Sequence, residues 1–226
     1  MLNDLKDLPE EEFLQWIESS IRNKENILGE GYHGAAYLYE GHGYRLVVKT
    51  PLGSGVLRWF RLIQLRQEYE VYLKLTGIEG VPACYGLLQG QYLLIAYIDG
   101  ESLRTAEVND HQYYMQKYLQ LIKNIHLRDV AHGDMKRKEN LLVVGGKEPC
   151  VIDFGVAVIR KQGFHPLNRY LFNLAKAIDY NAYVKHKYRR DYTNISEEDK
   201  QYLNNTLTER VSRWVKRTIF PFIRKA

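Results

Sequence analysis

Apolar residues at Phe13, Ile17 and Ile21 recur every fourth position, which predicts a helix over about residues 7–23. Asp7 suits its cap, Pro9 its first turn, and Glu10, Glu11 and Glu12 the positive end of its dipole. The pattern then changes to short β-type runs. Ile27-Leu28 leads into a glycine turn, residues 35–39 lead into Glu40-Gly41-His42-Gly43, and residues 44–49 are rich in Val and Leu. After a loop over 51–55, Leu62, Leu65, Tyr69, Tyr72 and Leu73 predict a helix reaching about Thr76. Residues 81–88 and 91–97 form a hairpin around Gln89-Gly90. Asp99-Gly100 breaks the pattern and sets a boundary between a first lobe, 1–98, and a second, 99–226. Beyond it come a long amphipathic helix over 110–127 and a small hairpin, 141–144 with 150–152, around Gly145-Gly146. Helices over 167–187 and 196–220 follow. Strands with one helix, then helices with one hairpin, make an α+β, two-lobed layout.

The composition, 45% hydrophobic and 26% charged, is that of a globular chain with enough apolar residues for a core. No apolar run approaches the ~20 residues a bilayer requires. The first residues are mixed and acidic, without the basic and apolar regions of a secretory signal. Cys84 and Cys150 read as reduced, buried thiols, and the expected location is the cytoplasm.

The net charge of +5 is uneven. Residues 156–226 carry 15 Lys and Arg against 6 Asp and Glu, or +9, so the remainder carries −4. A basic third is either a solvated face or a surface for an anionic partner: phosphate groups, acidic lipid or nucleic acid. In residues 210–225, six cations interleave with Trp214, Ile219, Phe220, Phe222 and Ile223, with no acid among them. That composition suits a peripheral contact with the anionic inner face of a membrane. Equally, the aromatic residues suit docking on the chain's own helical lobe.

Gly29-Glu30-Gly31-Tyr32-His33-Gly34 is a G-x-G-x-x-G followed by β-type sequence, so a dinucleotide turn, which needs a helix next, fails. A glycine turn between antiparallel strands instead lets backbone N–H groups approach phosphates. Lys49 ends the third strand, and Glu68 on the next helix offers a carboxylate to fix its ammonium. His132-Gly133-Asp134-Met135-Lys136-Arg137-Lys138-Glu139-Asn140 follows, and nineteen residues beyond Asp134 stands Asp153-Phe154-Gly155. Together these supply the parts of phosphoryl transfer from ATP: a carboxylate for the attacking hydroxyl, an amide and a carboxylate for Mg²⁺, and a lysine for the phosphates.

In that order of elements the chain resembles the protein kinase superfamily over about residues 27–155. The resemblance implies an ATP- and Mg²⁺-dependent phosphotransferase of bilobal kinase fold. It implies Gly29, Gly31 and Gly34 over the phosphates, Lys49 on the α/β-phosphates and paired with Glu68, and Asp134 as catalytic base. Lys136 would reach the γ-phosphate, while Asn140 and Asp153 would hold the metal. Ala96, Tyr97 and Ile98 would bond adenine through the backbone, with Ile95 behind the pocket.

Three features depart from the family pattern. Five residues, not four, separate Asp134 from Asn140, which sets Lys136 against Lys138 for one role. Gly133 stands where the family usually has Arg, so a switch that reads a phosphorylated loop is not expected. No Ala-Pro-Glu follows Asp153-Phe154-Gly155, and about ten residues separate Gly155 from the next helix. Such shortening is similar to atypical branches: lipopolysaccharide-core sugar kinases, RIO-type kinases and small-molecule phosphotransferases. Residues 165–176 are similar to the first of these, with Arg169 and Lys176 either near the acceptor or on a solvated face. The expected acceptor is a hydroxyl, on a glycolipid sugar or on protein Ser/Thr. The rivals are a pseudokinase that only binds nucleotide and a RIO-like kinase that associates with nucleic acid.

Overall fold

The computed structural model describes residues 5, 8–31, 34–189 and 191–204. Helix α1, Glu10–Asn23, turns Phe13 and Ile17 inward, as their spacing requires. Asp7 lies outside the described residues, and Pro9 itself takes the cap position, with no side chain capping the helix. A five-stranded antiparallel sheet follows, with strands β1 (Ile27–Gly31), β2 (Gly34–Gly41), β3 (Tyr44–Thr50), β4 (Cys84–Leu88) and β5 (Tyr92–Ala96) in the order β1-β2-β3-β5-β4. The β2–β3 and β4–β5 hairpins turn where the sequence tolerates positive φ at two successive residues. His42 and Gly43 have φ +50° and +78°, and Gln89 and Gly90 have +47° and +67°. Such pairs match the twist of the strands they join. Phe13 packs edge-on against Tyr39 at 4.7 Å, closing a core of α1, Tyr37, Leu46, Val48 and Leu94.

Helix α2, Gly55–Lys74, crosses to the other side of this sheet. Its Leu65, Val71 and Tyr72 share a second core with Leu93 and Ile95 of β5. Alternate residues of β5 therefore serve two cores, which is the period-2 rule applied to a strand buried on both faces. The second core continues into the helical part of the chain, so hydrophobic packing crosses the boundary expected near residue 98.

The helical part is built on α3, His111–Leu127, capped by Asp110, whose side chain accepts the Tyr113 N–H. Strand β6 (Glu101–Ser102) precedes α3, and β7 (Val130–Ala131) follows it. Strands β8 (Leu141–Val144) and β9 (Glu148–Val151) form the expected hairpin, with β6 added at the edge. Strand β10 (Val158–Ile159) pairs antiparallel with β7. Helix α4, Pro166–Lys187, packs against α3 and β7.

Of the helix expected over 196–220, the described residues, which end at 204, contain one turn. Helix α5 covers Glu197–Lys200, and residues 201–204 leave it. Asn204 exchanges two hydrogen bonds with the Asn181 side chain, at 2.7 and 2.8 Å, which draws the chain back onto α4. The expectations for residues 205–226, membrane contact included, lie outside the described residues. No helix among the described residues is long and apolar enough to cross a membrane. Both thiols are free, and burial pushes Cys84 up to about 11 and Cys150 up to about 12.

Candidate active site

Near its end, strand β3 places Lys49 opposite Ala36 of β2 and Leu93 of β5, with Val48 before it and Thr50 after it buried in the sheet's packing. One turn short of its last residues, α2 presents Glu68 to the same point. Lys49 Nζ donates to Glu68 Oε1 at 2.6 Å and to Asp153 Oδ1 at 2.9 Å. Burial disfavours the Lys49 ammonium, but the two carboxylates outweigh it and raise its pKa. The ammonium therefore stays charged at any physiological pH. Glu68 is 5% exposed and Asp153 47%, so the shared cation is anchored on the buried side and open on the other.

Asp153 holds φ +65°, a left-handed backbone rare for a residue with a side chain. Strain of this kind costs about 1–3 kcal/mol and persists where surrounding structure enforces it. Here the enforcement is Phe154, which is buried between Tyr72 of α2 at 5.2 Å and His132 at 4.8 Å. Gln67 adds a second tie from α2, donating to the Ala157 carbonyl at 3.0 Å.

His132 fixes the opposite strand end. One ring nitrogen faces the Ile152 carbonyl at 3.0 Å, and the other faces the Asp134 N–H at 3.2 Å. Satisfying both requires the neutral ring with its proton on Nε2. His132 thus braces this loop, tying the residue before Asp153 to the backbone of Asp134. His126 Nε2 lies 3.0 Å from Asp179, and no metal-sized group of His, Cys, Asp and Glu occurs among the described residues.

The extra residue between Asp134 and Asn140 is absorbed by a 3-10 turn over Lys138–Asn140. Asn140 still returns to Asp134: its Nδ2 lies 3.2 Å from the Asp134 carbonyl and 3.3 Å from Oδ2. Ile152 N–H donates to the Asn140 carbonyl at 3.0 Å, joining this loop to the segment that leads from β9 to Asp153. With Nδ2 engaged, the amide of Asn140 offers its oxygen. That oxygen and the Asp153 carboxylate are the hard donors Mg²⁺ takes, so the residues present fit such an ion. Burial raises the Asp134 pKa and Asp153 raises it further, against the charge of Arg137 and the hydrogen bond from Asn140, with a net upward shift.

The remaining candidates are placed less closely. Gly34, at φ +144°, runs so near β3 that a Cβ there would meet the Thr50 carbonyl at 2.1 Å; Gly29 and Gly31 face open space. Ala96 and Tyr97 spend their N–H groups inside the sheet, on the Ala83 and Arg45 carbonyls. Of the three expected adenine contacts, the amide at Ile98 is the one not used in backbone pairing. Lys136 and Lys138 flank Arg137 on a cleft beside Asp134. Arg169 is exposed on α4, and Lys176 lies 5.7 Å above the Phe172 ring.

The support of this loop from α4 went unread in the sequence. The Asp179 carboxylate accepts the His132 and Gly133 N–H groups, both at 2.8 Å, and is fully buried. One helical turn or two further, Lys185 donates to the Lys136 carbonyl at 2.6 Å and His186 faces the Met135 carbonyl at 2.9 Å. A signal was present: Phe172, Ala175, Asp179 and Ala182 share the buried stripe of α4, and a carboxylate on such a stripe needs donors. Gly133 has φ +79°, a left-handed backbone that glycine adopts without strain.

No protein-family model matches the chain. It is similar to a probable serine/threonine-protein kinase of Dictyostelium discoideum, 24% identical over 216 residues that cover 92% of this chain and 32% of that protein. It is also similar to the mitogen-activated protein kinases PMK11 and PMK1 of Pyricularia oryzae. Each is 26% identical over 146 residues, covering 59% of this chain and 40% of theirs. The chain spans a third to two-fifths of the length of these curated relatives. Fold, site order and these similarities agree on a protein-kinase-like chain.

Proposed function

We propose that this chain is a Mg²⁺- and ATP-dependent phosphotransferase that moves the γ-phosphoryl group to an acceptor hydroxyl. The observation that carries the reading is the Lys49 ammonium held between Glu68 and Asp153. A lysine so fixed is positioned for phosphate oxygens at little further entropic cost. Asp134, oriented by Asn140 and by the His132 ring, accepts the proton as the hydroxyl attacks. Mg²⁺ on Asn140 and Asp153 would neutralise charge on the phosphates. The presence of all the usual catalytic residues, Lys49, Glu68, Asp134, Asn140 and Asp153, argues against a pseudokinase.

The acceptor we favour is not a peptide. Ten residues separate Gly155 from α4, and part of that stretch is taken up by the β10–β7 pairing, which leaves little backbone to dock an extended substrate. The names of the relatives support protein Ser/Thr as a second reading. Mass spectrometry after incubation with Mg-ATP, a generic protein and a glycolipid extract tests both. A single phosphoryl addition on a sugar or a side chain is expected, and no product from any acceptor would leave nucleotide binding alone.

A further inference from the structure

Beside Asp134 opens a cleft of about 780 Å³, within the size range of small-molecule sites. Its walls come from the chain ahead of α3, the loop after Asp134, and the end of α4. They bring together Arg104, Lys136, Arg137, Lys138, Lys185 and Arg189. Glu139 is the one carboxylate among the lining residues, and it pairs with Arg104. Six cations and one anion give the lining a formal charge of +5, equal to that of the whole chain.

Gathering like charges in a concave wall raises the energy of the empty site and concentrates anions there. The cluster is also held in place. Lys185 is fixed on the Lys136 carbonyl, and Leu103 and Met115 form a buried apolar floor. Of the lining cations, Arg137 lies 3.8 Å from the Asp134 carboxylate. An anion bound by Arg137 is thus within one side chain of the base that meets the acceptor hydroxyl. Guanidinium forks match the oxygens of a phosphate better than they match a lone hydroxyl or amide. His111, in the same wall, has its pKa lowered by burial and by Arg189, in keeping with a positive surround.

We propose that this cleft holds a phosphate already present on the acceptor, so that the substrate is a phosphorylated sugar or similar small phosphomonoester. The inference rests on the phosphotransferase reading for its place in catalysis, but the binding itself is measurable without ATP. The test is titration calorimetry of the full chain with glucose 6-phosphate and with glucose, repeated with Lys138→Glu/Arg189→Glu and with Lys49→Met. Both residues of the double variant are exposed, and the neutral pair Lys138→Gln/Arg189→Gln serves if charge reversal impairs folding. Binding of glucose 6-phosphate but not glucose is expected, weakened roughly tenfold or more in the double variant, as like-charge juxtaposition demands. It should survive in Lys49→Met protein shown to be folded by circular dichroism at the temperature of the titration, since Lys49 is not part of the cleft lining.

Equal binding of the two sugars, no binding of either, or wild-type affinity in the double variant would overturn the proposal. So would loss of binding in Lys49→Met, which would put the phosphate in the nucleotide site. Tighter capture of an acidic peptide or an RNA oligomer than of the phosphosugar would assign the cleft to those partners instead. A separate Mg-ATP titration reads the phosphotransferase account, so its failure is distinguishable from that of the cleft.

Discussion

Asp179 Oδ1 accepts the Gly133 N–H at 2.8 Å across forty-six residues of chain. Its other oxygen takes the neighbouring amide of His132 and faces His126. One buried carboxylate on α4 thus fixes the backbone immediately before Asp134. Removing it leaves two buried N–H groups without acceptors. Asp179→Ala should cost about 3 kcal/mol or more in urea unfolding, at about 1–3 kcal/mol per orphaned buried donor. Asp179→Asn, which keeps one acceptor, should cost less. Turnover should fall in both with nucleotide affinity kept; loss of nucleotide affinity alone would give Asp179 a different role.

Lys49→Met should weaken nucleotide binding and lower the melting temperature together. Glu68 is buried, and removing the partner of a buried charge costs about 3–5 kcal/mol at the upper end. The partial opening at Asp153 should hold the loss toward the lower part of that range. Calorimetric binding and thermal unfolding of one preparation check both effects. Unchanged stability would mean that Glu68 finds another donor.

As the proposed base, Asp134 would work as the carboxylate, so activity should fall on the acid side as it protonates. Burial raises its pKa, which moves that limb upward from the ordinary aspartate range. Arg137 opposes the shift, so Arg137→Gln should move the limb higher still. The pH profile of kcat/KM in the two proteins reads this directly. A limb that moves down, or does not move, would remove Arg137 from the electrostatics of the base.

Asp199 joins α5 to α4. Burial raises its pKa, but hydrogen bonds from Lys187, Tyr188 and Tyr183 outweigh burial, and the net shift is downward. A folded pKa below the unfolded one stabilises above the unfolded value and is lost as pH falls through the folded value. Unfolding free energy should therefore drop as pH falls below about 4, the ordinary range of aspartate. In Asp199→Asn that drop should be shallower, which urea titrations at several pH values would measure.

Residues 156–166 contain no Ser, Thr or Tyr, and Gly133 supplies no Arg to read a phosphate there. Phosphatase-treated protein should turn over as fast as untreated protein. A requirement for phosphorylation in that stretch would contradict both facts.

The parts of the site that were legible in the sequence are those whose chemistry needs particular side chains. Lys49, Glu68, Asp134, Asn140 and Asp153 follow in order because each function admits few residue types, and the hydrophobic periods around them were strong. The long helices and the two tight hairpins were legible for the same reason. Two-residue pairings such as β7 with β10 carry no period and could not be seen. Asp179 acts through its oxygens on backbone amides, which leave no mark in sequence at the receiving end. The end of α5 at Lys200 was not legible, because the hydrogen bonds between Asn181 and Asn204 are a tertiary contact that sequence does not mark. The adenine contacts depend on which amides the sheet consumes, and register alone decides that.

The most direct test of the phosphotransferase account is Mg²⁺-dependent ATP consumption by the wild-type chain beside Asp134→Ala and Asp153→Asn, with nucleotide affinity measured in parallel. Asp153→Asn should lose Mg²⁺-dependent transfer while folding as the wild type does, because its carboxylate is half exposed and supplies charge rather than packing. Asp134→Ala should turn over about 10² to 10⁴ more slowly with nucleotide affinity nearly kept, the usual contribution of a general base. Wild-type turnover in either variant, or a wild-type chain that binds no Mg-ATP, would contradict it.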